Sequence, residues 1–222
     1  HSKVYGMGEL KTIVELIKPI LLNSLKNGDE FNESNLSIDD VAIIRNRYID
    51  VVNSMNISER FIIDKMPANF RWIGFILSAF PEAKVINLNR DPMATCWSIY
   101  KHYFATKGNG FTHDMEDIAE YYKMYTDVML FWHELFPTSI YDLCYEDLTE
   151  NQVDQTRSLL DFCGLEWEEQ CLDFYNTKRS VKTLSAVQVR SKMYKGSSES
   201  WRKYQSYLQP LMNGLDYGNQ QR

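Results

Sequence analysis

Two cationic residues follow short apolar segments that have the composition of buried strands. Lys65 comes directly after Phe61-Ile62-Ile63-Asp64, and Arg90 comes directly after Val85-Ile86-Asn87-Leu88-Asn89. Because ligands bind at the carboxyl ends of the strands in open α/β sheets, we expect both cations at the ligand-binding edge of a sheet. Lys65 alone is a weak signal, since most lysines are solvated. Arg90 is the stronger candidate for binding an anionic ligand.

The residues after Arg90 strengthen this prediction. Asp91-Pro92 favours the start of a helix, because Asp is a good N-cap and Pro suits the first helical position. A helix N-terminus attracts anions through its amide groups and its dipole. Ser98 lies two turns further along, where its hydroxyl can face the same ligand as Arg90. The sequence therefore predicts a phosphate site, with a salt bridge from Arg90 to a carboxylate such as Asp91 as the alternative.

The elements around these cations have the order of an α/β fold. Strand, helix, strand and helix alternate from Phe61 to the helix that begins at Pro92, which indicates a parallel sheet with crossover helices. A third strand is expected over residues 139–145. Apolar residues at helical spacing predict helices over residues 10–25, 41–52, 69–80, 118–136, 153–163, 168–176 and 201–215.

Composition narrows the classes of protein to consider. The chain has 222 residues, of which 44% are hydrophobic, enough for one large domain with a sizeable core. Its formal net charge of −6 makes it a poor candidate for binding nucleic acid or a membrane surface. It has no apolar run long enough to predict a membrane span. A local basic site can still bind an anion in such a chain.

The four cysteines do not predict a metal site. Cys96, Cys144, Cys163 and Cys171 form no C-x-x-C pair and do not cluster with the histidines, so zinc is not expected. We expect free thiols in a reducing compartment. This favours a cytoplasmic location.

Several motifs, in the right order, resemble those of the sulfotransferases that use 3′-phosphoadenylyl sulfate (PAPS). Asn89-Arg90-Asp91-Pro92 with Ser98 resembles the family's 3′-phosphate motif, and Asp64-Lys65-Met66-Pro67 resembles its strand-end lysine segment. Two later segments also fit: Tyr145-Glu146-Asp147-Leu148, and the run from Ser185 to Arg190 with Tyr194 and Trp201-Arg202-Lys203-Tyr204. The chain resembles most the tyrosylprotein sulfotransferases and the bacterial sulfotransferases that often follow tetratricopeptide repeats.

The resemblance implies an α/β, P-loop-NTPase-like sulfotransferase fold, with a parallel sheet flanked by helices, in a single domain over residues 1–222. Tyr5-Gly6-Met7-Gly8-Glu9-Leu10 resembles the segment that follows the family's first helix. In the family, a strand and a loop that holds the 5′-phosphosulfate precede that helix. On this interpretation the chain is N-terminally truncated and contains the 3′-phosphate half of the cofactor site.

The resemblance also implies catalytic roles. Glu9 matches the family's catalytic glutamate, which takes the proton from an acceptor hydroxyl as general base. From the residues alone, a first-turn glutamate favoured by the helix dipole is the alternative. Lys65 would stabilise charge on the bridging oxygen as the sulfuryl group leaves, and Ser185 would hold the sulfuryl oxygens. Such a transfer depends on positioning and electrostatic stabilisation, and the family uses no metal for it.

Other matched residues would bind PAPS or its product, adenosine 3′,5′-bisphosphate (PAP). Arg90 and Ser98 would bind the 3′-phosphate, and Tyr145 would lie near the nucleotide. The expected residues of a later cofactor loop are Gln188, Val189 and Arg190.

Two positions depart from the family's pattern. Ser200 stands where relatives commonly have a basic residue, and Arg202 or Lys203 would have to substitute for it. His102 stands where some relatives have arginine. An imidazole is a weaker phosphate partner whose charge depends on pH, and an ordinary helix-surface histidine is the alternative.

Three functions are open at this point. The first is sulfuryl transfer from PAPS to a hydroxyl acceptor, which is a protein tyrosine, a glycan or a small metabolite. The second is a catalytically inactive nucleotide-binding module of the same fold. The third is an ATP-dependent P-loop kinase, although the chain has no Walker A motif. The bacterial resemblance also implies an upstream tetratricopeptide-type domain.

Overall fold

The computed structural model describes residues 1–26, 37–104, 108–176 and 191–217. The chain forms two compact units, His1–Val85 and Ile86–Arg222. Two pairs of hydrogen-bonded strands are present, β1 with β2 and β3 with β4, and helices accompany both pairs. The mixed α/β class predicted from the sequence is confirmed.

The first unit contains two parallel strands. Its elements are β1 (Val4–Gly8), α1 (Thr12–Lys26), α2 (Ile38–Ser54), β2 (Phe61–Asp64), a 3-10 helix (Pro67–Trp72) and α3 (Ile73–Ala79). In the parallel pairing, Val4 lies opposite Phe61 and Gly8 lies opposite Asp64. The carboxyl ends of both strands therefore meet at one edge.

Helices α1, α2 and α3 pack through a small apolar core in this unit. Ser37 begins α2 with a capping box, in which its hydroxyl accepts from the Asp40 amide and the Asp40 carboxylate accepts from the Ser37 amide. The Arg45 guanidinium donates to the carbonyl of Ala79 at 2.7 Å and to both carboxylate oxygens of Glu82. These contacts tie α2 to the end of α3. The buried core residues are Ile13, Ile17, Ile44, Tyr48 and Ala79.

The remaining strands and helices belong to the second unit, except for Val85, the first residue of β3, which ends the first unit. In chain order they are β3 (Val85–Asn89), α4 (Pro92–Tyr100), a 3-10 helix (Gly110–His113), α5 (Met115–Leu135), β4 (Ile140–Cys144), α6 (Tyr145–Glu150), α7 (Gln152–Cys163), 3-10 helices Glu169–Asn176 and Ser197–Tyr207, and α8 (Gln209–Gly214). β3 is hydrogen-bonded to β4.

Trp201 is central to the core of the second unit, and its side chain is 0% exposed. It packs with buried residues of α4, α5 and α8, and its ring meets the Tyr217 ring edge-on at 5.2 Å. Because Trp201 belongs to the 3-10 helix Ser197–Tyr207, this packing holds that helix against α4. The C-terminal segment is thereby placed beside the residues that follow β3.

The structure corrects several helix and strand predictions. Residues 201–215 are not one helix, because Pro210 lacks an amide donor and its ring would clash with the preceding turn, so α8 begins anew at Gln209. The predicted helix over residues 69–80 is a 3-10 helix followed by α3, and residues 168–176 form a 3-10 helix. β1 and α6 were not predicted. The other predicted helices and all three predicted strands are confirmed.

Candidate functional site

Glu9 and Lys65 lie together at the carboxyl edge of β1 and β2. The Lys65 amide donates to the carbonyl oxygen of Gly8 at 3.0 Å, which continues the strand pairing by one residue. The Lys65 ammonium then forms an ion pair with the Glu9 carboxylate. The side chains of Lys65 and Glu9 are 58% and 36% exposed, so both remain accessible to a ligand. The two residues assigned as cation and general base are thus direct neighbours.

A distortion at the end of β1 sets the position of Glu9. The strand register shifts between Gly6 and Gly8, which is the signature of a bulge or irregularity. Gly8 has φ +84°, a left-handed conformation that glycine adopts without a side-chain clash. This turn ends β1 directly before Glu9.

The residue before Lys65 is anchored to α2. The Tyr48 hydroxyl donates to Asp64 Oδ2 at 3.0 Å. Burial raises the pKa of Asp64, while hydrogen bonds from Tyr48 and from the Leu10 amide lower it. Burial, followed by the charge of Asp64, raises the pKa of Tyr48, so its hydroxyl stays protonated and continues to donate. The end of β2, and with it Lys65, is fixed by this contact.

Arg90 follows β3 and is half-buried among polar and aromatic partners. Its Nε donates to Ser198 Oγ at 2.9 Å, and its Nη2 donates to Ser197 Oγ at 3.3 Å. The guanidinium lies over the Tyr145 ring, 5.0 Å from the ring centroid. The Ser197 hydroxyl in turn donates to the Tyr145 hydroxyl at 3.2 Å. Arg90 and Tyr145, two predicted cofactor residues, are therefore in contact.

Asp91 begins α4 as predicted. Its carboxylate accepts from the Ala94 amide at 2.7 Å, an N-cap contact. Burial raises the pKa of Asp91, and the hydrogen bond from Ala94 opposes this rise. The Asp91 carboxylate thus caps α4. Arg90 is hydrogen-bonded to Ser197 and Ser198 instead of forming the alternative salt bridge with Asp91.

Ser98 and His102 are placed near each other at the end of α4. The carbonyl oxygen of Ser98 lies 2.6 Å from His102 Nδ1, and the His102 side chain is exposed. Among the described residues, Arg90 is hydrogen-bonded to Ser197 and Ser198 and not to Ser98. The expected phosphate roles of Ser98 and His102 stay predictions. Ser185, Gln188, Val189 and Arg190 lie outside the described residues, so their expected roles stay predictions too.

The sequence did not reveal Ser197 and Ser198 as partners of Arg90. They follow Gly196, which has φ +82°, and they precede Trp201. Two serines after a glycine look like an ordinary turn. Trp201, three residues after Ser198, was the one sequence feature that could have indicated this contact. A tryptophan buried in the core holds the turn at Ser197 and Ser198 against α4.

The family is decided by comparison with known proteins. A model of the sulfotransferase family matches residues 21–169, which is more than half of the chain. The chain belongs to the sulfotransferase family. This sulfotransferase-family chain is 40% identical over 225 residues to a protein from Aquifex aeolicus (strain VF5) that is described as uncharacterized. The match covers 98% of the chain but only 30% of that relative.

Two solved sulfotransferase domains share the fold of this sulfotransferase-family chain. The domain from the Synechococcus PCC 7002 olefin synthase has a TM-score of 0.57 and 16% identity, over 90% of this chain and 86% of that domain. The domain from the curacin biosynthetic pathway has a TM-score of 0.54 and 17% identity, over 93% of this chain and 77% of that domain. The predicted P-loop-like sulfotransferase fold is therefore confirmed.

Two properties of the described residues bear on metal binding and on membranes. Across the described ranges, no group of three or more His, Cys, Asp or Glu side chains is arranged to hold a metal ion. No helix in that part of the chain is long and apolar enough to cross a membrane. The four cysteines, all within the described ranges, form no disulfide, and burial raises the pKa of Cys96 to about 12.

Proposed function

We propose that this chain belongs to an enzyme that moves a sulfuryl group from PAPS to a hydroxyl acceptor, and that Arg90 binds the 3′-phosphate of the donor. The observation that carries this proposal is the surroundings of Arg90. A half-buried guanidinium follows a strand, precedes a helix and contacts two serine hydroxyls and a tyrosine ring. The chain's membership of the sulfotransferase family makes a sulfuryl donor the natural anionic ligand.

The chemistry of the Arg90 site suits a phosphate. A guanidinium presents several N–H donors in a rigid fork, and its bonds to phosphate are stronger than bonds between neutral groups. The hydroxyls of Ser197 and Ser198 are additional polar groups next to that fork. Tyr145 supports one face of the guanidinium and would lie beside the nucleotide. These contacts keep Arg90 oriented before a ligand arrives.

Glu9 and Lys65 would act at the reacting end of the donor. The acceptor oxygen forms a bond to sulfur, the bond from sulfur to the bridging oxygen breaks, and PAP leaves. We propose that the Glu9 carboxylate accepts the proton of the acceptor hydroxyl. The Lys65 ammonium would stabilise the negative charge that develops on the bridging oxygen. Their ion pair would open on binding, because each charge then meets a reacting group. Ser185 would hold the sulfuryl oxygens.

Other parts of the function stay predictions. The acceptor is a protein, a glycan or a small hydroxylated metabolite. The single-domain organisation, the cytoplasmic location and a neighbouring tetratricopeptide-type domain are likewise predictions. The chain spans 30% of the length of the Aquifex relative, so the activity of the whole protein is part of this proposal.

Binding of PAP and AMP tests the Arg90 assignment. The wild type should bind PAP much more tightly than AMP, because only PAP carries a 3′-phosphate. Arg90→Ala should lose roughly 2 kcal/mol of PAP binding and little AMP binding, as measured by calorimetric titration. Arg71→Ala, which removes another arginine that lies beside an aromatic ring, is the matched control and should bind both nucleotides like the wild type.

Two results would contradict the proposal. Equal affinity of the wild type for PAP and AMP would mean that the 3′-phosphate is not recognised. An unchanged PAP affinity in Arg90→Ala would mean that another residue recognises it.

A further inference from the structure

Glu146 joins three parts of the second unit beside Arg90. It lies in the first turn of α6, directly after Tyr145, and is half-buried. Its Oε1 accepts from the Asp91 amide at 3.2 Å and also from the Ser198 hydroxyl. The Cys144 thiol lies 3.4 Å from its other oxygen. One carboxylate thus contacts the start of α4, the end of β4 and the C-terminal segment.

Ser198 links Glu146 to Arg90 in a fixed direction. A serine hydroxyl has one hydrogen to donate and lone pairs to accept with. The Ser198 hydroxyl donates to Glu146 and accepts from Arg90 Nε at 2.9 Å. The carboxylate has no proton to give when ionised, so this order of donors follows from the chemistry of the three groups. Arg90 is therefore held by its Nε edge.

We propose that Glu146 is a positioning residue for the anion site: through Ser198 it holds the Nε edge of Arg90, and through the Asp91 amide it holds the backbone next to Arg90. The terminal nitrogens of the guanidinium are then presented to the ligand. This inference rests on the proposed function, since the ligand is the 3′-phosphate of PAP or PAPS. Glu146 itself does not touch the ligand.

The two serines next to Arg90 play different parts in this arrangement. Ser198 donates to a carboxylate, and a hydrogen bond to a charged group is about twice as strong as one between neutral groups. Ser197 donates to the neutral Tyr145 hydroxyl at 3.2 Å. An arriving phosphate would therefore recruit Ser197 more readily than Ser198. Ser198 keeps its place between Glu146 and Arg90.

Glu146 is suited to remain ionised in this place. Burial raises its pKa, but the hydrogen bonds from Ser198 and from the Asp91 amide, with smaller ones from its own amide and Cys144, outweigh burial. The pKa of Glu146 therefore lies below its ordinary value. At neutral pH the carboxylate accepts from both neighbours, and its negative charge is separated from the ligand by Ser198 and Arg90.

Two replacements of Glu146 test this role. Glu146→Gln keeps a carbonyl oxygen that accepts from Ser198 and from the Asp91 amide, whereas Glu146→Ala removes both contacts. We expect PAP affinity to fall about tenfold in Glu146→Ala and to stay within about threefold of the wild type in Glu146→Gln, with AMP affinity little changed in both. Glu150→Ala, at an exposed position of the same helix, is the matched control.

A second measurement needs no nucleotide. The Nε–H of Arg90, assigned in an NMR spectrum of the full chain by its loss in Arg90→Lys, should exchange slowly with water in the wild type and in Glu146→Gln. It should exchange rapidly in Glu146→Ala, while the backbone amide spectrum is preserved. A wild type that does not distinguish PAP from AMP would refute the proposed function, and the Nε–H signal would still decide whether Glu146 positions Arg90.

Three results would overturn the inference. The first is a slowly exchanging Arg90 Nε–H in Glu146→Ala. The second is an equal loss of PAP and AMP affinity in that variant, which indicates a general structural role. The third is a Glu146→Gln variant as impaired as Glu146→Ala, since an acceptor oxygen would then not be what matters.

Discussion

The ammonium of Lys65 and the carboxylate of Glu9 neutralise each other at the edge of β1 and β2. Such an exposed pair contributes little to stability, because solvent screens the charges and two flexible side chains must be held in place. Both residues lie directly after parallel strands, where we propose that they act in sulfuryl transfer. Stability and activity should therefore respond differently when either residue is replaced.

We predict that Lys65→Met and Glu9→Gln change the free energy of unfolding by less than about 1 kcal/mol. In a protein that includes the upstream residues, both should reduce sulfuryl transfer from PAPS to a phenolic test acceptor by about a hundredfold or more, since each would remove a group that we propose to act in the transition state. Urea unfolding and turnover measured on the same preparations provide the comparison.

Lys123→Met is the matched control for this prediction. It breaks another exposed ion pair, that of Lys123 with Asp216 at 2.9 Å, and should leave transfer unchanged. Wild-type turnover in both Lys65→Met and Glu9→Gln would exclude the proposed catalytic roles.

Among individual residues, the sequence predicted the charged site residues that follow strands. It did not predict the residues that reach the site only through tertiary contacts. Lys65 and Arg90 were predicted because each follows an apolar strand. Ser197 and Ser198 approach Arg90 from more than a hundred residues away in the chain. No local pattern specifies such a contact, which depends on where Trp201 packs.

At the scale of elements, apolar patterns predicted the fold where they were strong. β2, β3 and β4 are short apolar segments, and α5 carries apolar residues at helical spacing over 21 residues. β1 was missed because two of its five residues are glycines, which lower the strand signal. The 3-10 helices were missed because their apolar spacing resembles that of α-helices over one or two turns.

The contact between α5 and α8 gives a prediction for Gly214. A Cβ atom added there would lie 2.5 Å from the Cβ of Ala119, which is buried in α5. Carbon atoms pack at about 3.5–4.0 Å, so the two helices would have to move apart. Overpacking costs about 1–3 kcal/mol, and alanine's helix propensity offsets at most about 1 kcal/mol. Gly214→Ala should therefore lower the free energy of unfolding by about 1–2 kcal/mol in urea.

Gly110→Ala is the matched control for this substitution. A Cβ atom at Gly110 meets no atom within 4 Å, so its effect should stay within about 0.5 kcal/mol. If the two variants unfold alike, the close approach of α5 and α8 does not depend on the missing side chain of Gly214.

At the scale of the whole molecule, an acidic chain is proposed to bind an anionic donor. The formal net charge is −6, but charges further away than about 8 Å are largely screened at physiological ionic strength. The immediate partners of Arg90 are neutral hydroxyls and a ring, and the carboxylate of Glu146 reaches it only through Ser198. The proposed affinity of Arg90 for the anionic donor therefore depends on the groups next to it. The net charge of the chain does not argue against such a site.

The pH dependence of stability also belongs to the whole molecule, because every titrating group adds to it. Burial raises the pKa of Asp64 above its ordinary value of 3.8. The folded chain therefore holds that proton more tightly than the unfolded chain. The contribution of Asp64 to stability is complete below pH 3.8 and is lost as the pH rises through the folded pKa. Asparagine at this position has no titratable proton, so Asp64→Asn would not lose stability in this way as the pH rises.

Glu82 should behave in the opposite way. The hydrogen bond from Arg45 lowers its pKa below the ordinary value of 4.5. Its contribution to stability is present above pH 4.5 and is lost as the pH falls through the folded pKa. Replacing Glu82 by glutamine removes that contribution. The free energy of unfolding of the variant should therefore decrease relative to that of the wild type as the pH rises.

We therefore predict opposite slopes for two variants of the first unit. The free energy of unfolding of Asp64→Asn, minus that of the wild type, should increase from about pH 3 to about pH 7. The same difference for Glu82→Gln should decrease over that range. Denaturant unfolding at a series of pH values measures both differences. Slopes of the same sign would mean that burial does not govern Asp64, because the Tyr48 hydroxyl and the Leu10 amide would then favour the ionised carboxylate more than burial disfavours it.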